Sequence, residues 1–191
     1  MLLQSHIYLG NQLSRLIDTK YRKYFVMGNV TPDMAPEHKI KKHEYYYLKD
    51  WFLNYVDNTM EMKLGDKKLA YYRLGVVTHY LADFFCRAHN DASIKKRYVK
   101  HFSYEKRLHD DLKKCNPVQD VSLSIPLFNI DTFLEVNHSR YLQDEYQIEN
   151  DLEFISNITS GVVNTANEYI LKNSSQKVFY PKTVFKKYFT L

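Results

Sequence analysis

The stretch HYLADFFCRAHNDASIKKRYVKHFSYE, residues 79–105, carries two histidine–carboxylate pairs on two consecutive predicted helices. His79 and Asp83 are four residues apart, and so are His101 and Glu105. Side chains at this spacing share one face of an α-helix, with Cβ atoms about 5–6 Å apart, so that one metal ion can bind both. Neutral imidazole and carboxylate groups are good zinc ligands. The stretch therefore predicts a metal site that is built from two helices.

The residues around His79 and Asp83 favour a buried site. They are strongly apolar, so both polar side chains are expected in the interior, where a carboxylate without a cation is costly. His89 lies six residues beyond Asp83, near the predicted end of the helix, where the backbone can direct it back toward the pair. In the alternative interpretation, these residues are on helix surfaces and form only weak pairs at i and i+4.

Glycine and proline are scarce, with five of each among 191 residues, which indicates an all-α protein. Folds that are built from strands need many turn residues. A chain of this length is expected to form a single compact multi-helix domain over residues 1–191. Apolar residues at helical spacing predict six or seven helices, and the most apolar of them, at about 67–86, is expected at the centre. The others are expected at about 2–21, 38–60, 94–114, 130–142 and 147–171.

Two short segments are expected to interrupt these helices. The sequence GNVTPDMAP, residues 28–36, has the composition of a loop. The polar sequence NDAS, residues 90–93, is expected to end the central helix and to cap the next one. Residues 117–126 are expected to be irregular, and the tail at 174–191 is expected to be a loop with a short helix.

Charge and cysteine content narrow the function classes. The net charge of +5 is typical of a solvated surface and is also compatible with an anionic substrate such as a phosphodiester or a lipid surface. The two cysteines form no CxxC motif, which argues against a sulfur-based zinc finger. No stretch approaches the roughly 20 apolar residues that span a bilayer. The start of the chain lacks a signal-peptide pattern, which predicts a cytoplasmic protein.

The order and spacing of the ligand-type residues resemble the zinc-dependent phospholipase C family and its structural relatives, the fungal single-strand-specific nucleases. Those enzymes are all-helical and hold three zinc ions at the bottom of a cleft. They share the motif HxxxDxxxxxH followed by HxxxE or HxxxD. The corresponding residues of this sequence are His79, Asp83, His89, His101 and Glu105.

The resemblance extends upstream, from Glu105 back to about Met1, and does not extend into residues 106–191. In the sequence GNVTPD, Asp33 is followed ten residues later by His43, which is similar to the family's upstream aspartate and histidine. His6 is similar to the N-terminal histidine of the family.

The resemblance implies three zinc sites and a set of ligands for each. The family usually begins with a tryptophan, whereas this chain begins with Met1, so that two or three zinc ions are expected. Asp83 is expected to bridge two of them. The first site takes Asp33, His43, His79 and Asp83, the second takes His89, His101 and Glu105, and the third takes His6, Asp83 and the amine and carbonyl of Met1.

By resemblance, the chain is expected to be a phosphodiester hydrolase. Two zinc ions a few Å apart can bridge and activate one water, and the resulting hydroxide attacks phosphorus. Asp33 is the candidate catalytic residue, because it can orient or deprotonate this water. The favoured substrate is a phospholipid that is cleaved in the manner of a phospholipase C, with peripheral contact to a membrane surface. The alternatives are a nuclease or 3′-nucleotidase, with nucleic acid as the partner, and an inactive helical binding protein with structural metals.

Several other candidates are given ordinary roles. His38 competes with His43 as a ligand, but it follows the upstream aspartate by only five residues, and the family spacing is longer. His109 is expected to face solvent, and His138 is expected on the surface. Cys86 lies in an apolar run and is expected to be a core thiol.

Overall fold

The computed structural model describes residues 1–35, 42–60, 66–115, 117–118, 125–144 and 147–173. Within these ranges the chain is all-α, which confirms the predicted fold class. His38 and the tail at 174–191 lie outside the described residues. Short 3-10 helices cover Ser14–Leu16 and Leu127–Asn129. The nine α-helices of the described ranges are α1 (Leu3–Leu13), α2 (Arg22–Met34), α3 (Tyr45–Met60), α4 (Lys67–Phe84), α5 (Arg87–Asn90), α6 (Ala92–Lys95), α7 (Tyr98–Leu112), α8 (Ile130–Gln143) and α9 (Ile148–Asn173).

Helix α4 is the centre of the molecule, as its apolar sequence predicts. Every residue from 74 to 84 is buried, and a helix that is apolar on all sides is stable only when other elements cover it. Asp66 caps its first turn by accepting hydrogen bonds from the backbone N–H groups of Lys68 and Leu69 at 3.1 and 3.2 Å. Helices α2, α3 and α9 pack around it. The last turns of α4 therefore place His79 and Asp83 in the interior.

Two glycines bring the backbones of α2 and α4 into direct contact. A Cβ atom on Gly28 would lie 1.8 Å from the carbonyl oxygen of Tyr72, and one on Gly75 would lie 2.1 Å from the carbonyl oxygen of Phe25. Only glycine fits at these two positions, because backbone atoms of the facing helix occupy the space of a side chain. This contact sets α2 directly beside the segment of α4 that carries His79.

The prediction of a loop at residues 28–36 is wrong for most of that segment. Residues 28–34 belong to α2, and Pro32 lies inside the helix. Proline removes one backbone hydrogen bond from a helix interior and crowds the preceding turn. Here the packing of Gly28 against α4 outweighs that local preference, as tertiary contacts often do. The correction matters for function, because Asp33 is held by a helix.

The remaining predicted helices are confirmed with changed ends. The helix predicted at about 2–21 ends at Leu13 and is followed only by a 3-10 turn. The second begins at Tyr45 within the described residues. The fourth is divided into α6 and α7, and the short α5 was not predicted. Asp91 caps α6 by accepting a hydrogen bond from the backbone N–H of Ser93 at 2.6 Å, which confirms the predicted cap. The polar segment at 90–93 does not end the central helix, because α4 already ends at Phe84.

Residues 117–126 lie mostly outside the described part of the chain. None of the described helices is both long and apolar enough to cross a membrane.

Candidate metal centre

Eight ligand-type side chains that the sequence analysis singles out converge around the end of α4. Helices α1, α2, α4, α5 and α7 and the segment before α3 each contribute at least one of them. Four are buried, and four are partly exposed. The buried side chains are His6, His79, Asp83 and Glu105, and the partly exposed ones are Asp33, His43, His89 and His101.

The Oδ1 atom of Asp83 contacts groups from three other elements. The α-amine of Met1 donates a short hydrogen bond to it. The Nε2 atoms of His6 and His89 lie 3.2 and 3.4 Å away. Burial of the Met1 amine opposes its charge, but the carboxylates of Asp83 and Glu105 outweigh burial and raise the pKa of the amine to about 12. Burial opposes the charge of Asp83 as well, and the nearby cationic amine still holds the pKa of this carboxyl well below its usual range.

The Oδ2 atom of Asp83 contacts two further histidines. It lies 2.6 Å from Nδ1 of His43 and 3.2 Å from Nε2 of His79. The other ring nitrogen of His79, Nδ1, lies 2.9 Å from the backbone carbonyl oxygen of Asn29, an acceptor only. Nδ1 must therefore carry the proton of neutral His79, which leaves the lone pair of Nε2 directed at the cluster. Nε2 also lies 3.8 Å from Oδ1 of Asp33.

Asn29 was not identified in the sequence analysis. It contributes its backbone carbonyl to His79, and every residue type has that group, so no residue pattern marks the role. Its position four residues before Asp33, on the same face of α2, is the only signal in the sequence.

Glu105 organises the second part of the cluster. Its Oε1 atom lies 3.1 Å from Nε2 of His101, 3.4 Å from Nε2 of His89 and 3.2 Å from the Met1 nitrogen. Burial opposes the charge of Glu105, but the Met1 amine and the two histidines lower its pKa far below the ordinary value. Burial, together with the same amine, lowers the pKa of His89 and favours its neutral ring.

Two side chains of the cluster carry buried polar atoms that have no hydrogen-bond partner within the described residues. Neither ring nitrogen of His6 makes a hydrogen bond within the described residues, although Nε2 lies 3.2 Å from Asp83 Oδ1. Burial lowers the pKa of His6 to about 3, so the ring is neutral, which is the form that binds metals. The Oδ2 atom of Asp33 is likewise without a partner among the described groups. Buried polar atoms are normally paired, so this arrangement fits the chemistry of a cation site.

The donor atoms form three groups, each with all of its atoms within 4.8 Å of one another. Asp83 contacts at least one histidine of every group. The Met1 amine lies between the second and third ligand sets that the resemblance implies, because it contacts His89, Glu105 and Asp83. The three groups are His6 with His79 and Asp83, Asp33 with His43 and His79, and Cys86 with His89 and Glu105.

Cys86 is the one member of these groups that the sequence analysis assigned to the core. Its side chain is fully buried, and burial raises the pKa of its thiol well above the ordinary value. A neutral thiol in an apolar setting agrees with the core interpretation, since zinc binds the thiolate. His101 is not in these groups, but its Nε2 lies 3.1 Å from Oε1 of Glu105, a member of the group with Cys86 and His89.

Asp151, on α9, supports the helices that carry the second ligand set. Its Oδ2 atom accepts hydrogen bonds from the backbone N–H of Arg87 at 2.7 Å and from the hydroxyl of Tyr104 at 2.9 Å. Its Oδ1 atom accepts one from the hydroxyl of Tyr141 at 2.7 Å. This buried carboxylate therefore ties the start of α5 to α7 and α8, close to His89 in sequence.

The two histidines that were set aside have different surroundings. His138, expected on the surface, is fully buried, which makes that prediction wrong. Its Nε2 lies 3.1 Å from Oδ1 of Asn90, and its ring packs on that of Tyr45 with centroids 4.3 Å apart. His109 is partly buried and lies 3.1 Å from Oγ of Ser5.

Comparison with known proteins identifies the family. A family model described as zinc-dependent phospholipase C matches residues 5–148, well over half of the 191-residue chain. The match extends beyond Glu105, where the resemblance found by motif alone ends. Searches of the curated proteins and of the solved structures found no match. The matched residues include every ligand-type side chain of the cluster, and the chain belongs to the zinc-dependent phospholipase C family.

Proposed function

We propose that the protein is a phospholipase C that hydrolyses a phospholipid to diacylglycerol and a phosphorylated headgroup. The observation that carries this proposal is the convergence of five histidines and three carboxylates on one partly open cluster, in which neither buried ring nitrogen of His6 makes a hydrogen bond within the described residues. Membership of the zinc-dependent phospholipase C family supports the same reaction.

The proposed zinc ligands are the residues of the three ligand sets that the resemblance to the family implies. Zinc that is bound there supplies a Lewis acid for the phosphoryl oxygens and lowers the pKa of a nearby water. Asp83 can serve two neighbouring positions, because its two oxygens face different histidines. The carbonyl of Asn29 keeps His79 in the tautomer that presents Nε2 to the cluster. The Met1 nitrogen lies at the junction of the second and third sets, and it would become a further zinc donor on losing its proton.

Asp33 is the proposed general base. Its side chain is 22% exposed, so water can reach part of the carboxyl, whereas its Oδ2 atom is buried and has no partner within the described residues. In the metal-free protein, burial raises the pKa of Asp33, and a carboxylate beside the attacking water can accept its proton. Asp33 takes a proton from water while the water oxygen bonds to phosphorus. The bond between phosphorus and the glycerol oxygen breaks, and that oxygen leaves with the bonding electrons and takes a proton from solvent to become the hydroxyl of diacylglycerol. Asp33 then returns its proton to solvent.

Two measurements test the proposal together. Metal analysis of the purified protein is expected to find two or three zinc ions per chain. Parallel assays of phosphatidylcholine, other phospholipids, single-stranded DNA and a 3′-nucleotide are expected to yield diacylglycerol only from a phospholipid. Hydrolysis of the nucleotides alone would replace the proposal with a nuclease function. Fewer than two zinc ions at full occupancy would reject the metal centre.

A further inference from the structure

An exposed apolar surface lies at the start of α7, beside the proposed site. The side chains of Tyr98, Val99 and Phe102 are 85%, 75% and 49% exposed. Tyr98 and His101 are three residues apart, as are Phe102 and Glu105. Residues at this spacing are neighbours on a helix surface. The exposed aromatic rings therefore adjoin the face of α7 that carries two of the ligand-type side chains.

The same surface is strongly basic. Lys96, Arg97 and Lys100 are exposed, and within the described residues no carboxylate lies within ion-pair distance of them. The sequence from 92 to 104 contains no aspartate or glutamate. This local excess of positive charge stands out in a chain whose net charge is only +5.

A second exposed strip lies at the start of α3, and an ion pair joins it to this surface. Lys95 Nζ lies 2.6 Å from Oε2 of Glu44, which connects the end of α6 to the segment before α3. On that side Tyr46 and Tyr47 are each 67% exposed, and Nζ of Lys42 lies 4.5 Å from the ring centroid of Tyr47. Both strips adjoin ligand-type residues, since His43 follows Lys42 directly.

We propose that this surface docks the enzyme on an anionic phospholipid membrane. The rim patch is defined as Lys96, Arg97, Tyr98, Val99, Lys100 and Phe102. Exposed aromatic and aliphatic side chains enter the interface of a bilayer, where tyrosine keeps its hydroxyl in water. Lysine and arginine are attracted by the negative surface of anionic lipids. The combination of the two supports reversible attachment beside the site where a lipid is cleaved, and to this extent the inference rests on the proposed function.

Charge complementarity decides between occupants of this surface. A partner protein with a neutral or mixed surface gains little from three unpaired cations around apolar side chains, and a second copy of this basic patch would be repelled. An anionic lipid surface satisfies both the cations and the apolar side chains at once.

Sedimentation with vesicles tests the charge part of the proposal. The full chain is expected to bind vesicles of phosphatidylcholine and phosphatidylglycerol in equal parts, to bind pure phosphatidylcholine vesicles much more weakly, and to lose binding as salt rises. Lys96→Gln with Arg97→Gln is expected to weaken binding to the mixed vesicles by about thirtyfold.

The matched control is Lys23→Gln with Lys68→Gln. Both lysines lie over the ring of Tyr24, in the first turns of α2 and α4, whereas Asp33 and Asp83 are in the last turns of those helices. The control removes the same charge from the opposite ends of those two helices and is expected to leave vesicle binding within about twofold of wild type. Equal losses in the two variants would overturn the proposal, because binding would then follow net charge.

The apolar part is tested by Tyr98→Ala with Val99→Ala. These exposed positions tolerate alanine within a helix, and the matched control is Met27→Ala with Val136→Ala, which are 57% and 62% exposed. The rim variant is expected to lose at least about tenfold in vesicle affinity, and the control variant is expected to keep it. An unchanged affinity of the rim variant would overturn the proposal. A rim-dependent change in oligomeric state without vesicle binding would assign the patch to contacts between copies.

A soluble substrate separates this proposal from the proposed function. Rim variants are expected to lose hydrolysis of mixed vesicles while they retain hydrolysis of a short-chain phosphatidylcholine below its aggregation concentration. If wild type hydrolyses neither substrate but still binds mixed vesicles through the rim patch, the docking surface stands and the catalytic proposal fails. If wild type hydrolyses the soluble lipid and rim substitutions leave vesicle binding unchanged, the docking surface is rejected and the catalytic proposal stands.

Discussion

At Asp83, the two oxygens of one carboxylate face different histidines. Oδ1 lies near His6 and His89, and Oδ2 lies near His43 and His79. This arrangement needs an acceptor on both sides, and an amide offers only one. The proposed bridging role therefore depends on the negative charge of the carboxylate and on its two equivalent oxygens. Asparagine has the same shape and lacks both properties.

Asp83→Asn is expected to lose bound zinc and phospholipid hydrolysis together, while Cys86→Ala keeps both. The asparagine amide cannot supply the second anionic oxygen, whereas the Cys86 thiol is held neutral by burial. Zinc content and turnover of both variants are to be measured on the same preparations, with circular dichroism to verify folding. Wild-type turnover in Asp83→Asn would disprove the bridging role. Loss of zinc from a folded Cys86→Ala protein would make Cys86 a ligand.

The ligand-type residues could be predicted because their spacing follows helix geometry. His79 and Asp83 share a face at i and i+4 in any helix, and so do His101 and Glu105. The surroundings of His138 could not be predicted in this way. It is buried by contacts with Asn90 and Tyr45, which are distant in sequence, so no local pattern distinguishes it from a surface histidine.

Among the helices, the pair α2 and α4 holds Asp33 and His79 on neighbouring backbones. Gly28→Ala is expected to destabilise the fold by at least about 2 kcal/mol, because the new methyl group would overlap the carbonyl oxygen of Tyr72 and the backbone of α4 must move. Urea unfolding monitored by circular dichroism measures the change in free energy.

Gly10→Ala is the matched control for this substitution. A Cβ atom there would lie 3.1 Å from the side-chain Nδ2 of Asn29, and a side chain can move more easily than a backbone. A loss in Gly28→Ala no larger than in Gly10→Ala would show that the contact between α2 and α4 adjusts freely.

Asp151 links α5, α7 and α8, and its titration makes stability depend on pH. Burial raises its pKa from the ordinary 3.8 to about 6, although three hydrogen bonds oppose the shift. A carboxyl with a raised folded pKa binds its proton more tightly in the folded state. Its contribution to stability is therefore complete below pH 4 and is lost as pH rises through 6, by up to about 3 kcal/mol.

Asp151→Asn is expected to remove this pH dependence. The difference in the free energy of unfolding between wild type and variant isolates Asp151 from the other carboxyl groups, and it should shift in favour of the variant between pH 4 and 6. The exposed Asp110→Asn serves as the control. A difference that is flat across this range would mean that Asp151 has an ordinary pKa.

The helices could be predicted from apolar spacing wherever that spacing is strong, as in α4 and α9. Segment 28–34 could not, because glycine and proline are typical of loops when only neighbours along the chain are considered. The contact of Gly28 with a helix more than 40 residues away makes the segment helical. Helix α5 could not be predicted either, because its four residues are too few to show a helical period.

In the whole molecule, zinc and folding are expected to be coupled. Zinc that binds only the folded chain adds about 4 kcal/mol to its stability at a thousandfold excess over Kd. Chelation should therefore lower the melting temperature and abolish hydrolysis, and added Zn²⁺ should restore both. Mg²⁺ is the control, because it prefers oxygen ligands in an octahedral arrangement. An unchanged melting temperature after complete removal of zinc would contradict a centre that holds several helices together.

The family model matches residues 5–148, whereas the motif in the sequence indicates the family only as far as Glu105. Beyond Glu105 the chain contributes packing, as with Leu108 and Leu134 in the core, and Asp151 follows the matched range. Apolar core positions accept several residue types of similar size, so they carry little signal in a single sequence.

The close backbone contact of α2 and α4 at Gly28 and Gly75 fixes the geometry on one side of the candidate metal centre. Asp33 and His79 lie on these two helices and cannot move apart without breaking that contact. His89 lies on the four-residue α5 and His101 on the 15-residue α7, and the side chain of Asp151 holds both helices to α9. Under the proposed function, we therefore expect any adjustment to lipids with differently sized headgroups to come from the side of α5 and α7, which side-chain hydrogen bonds hold in place.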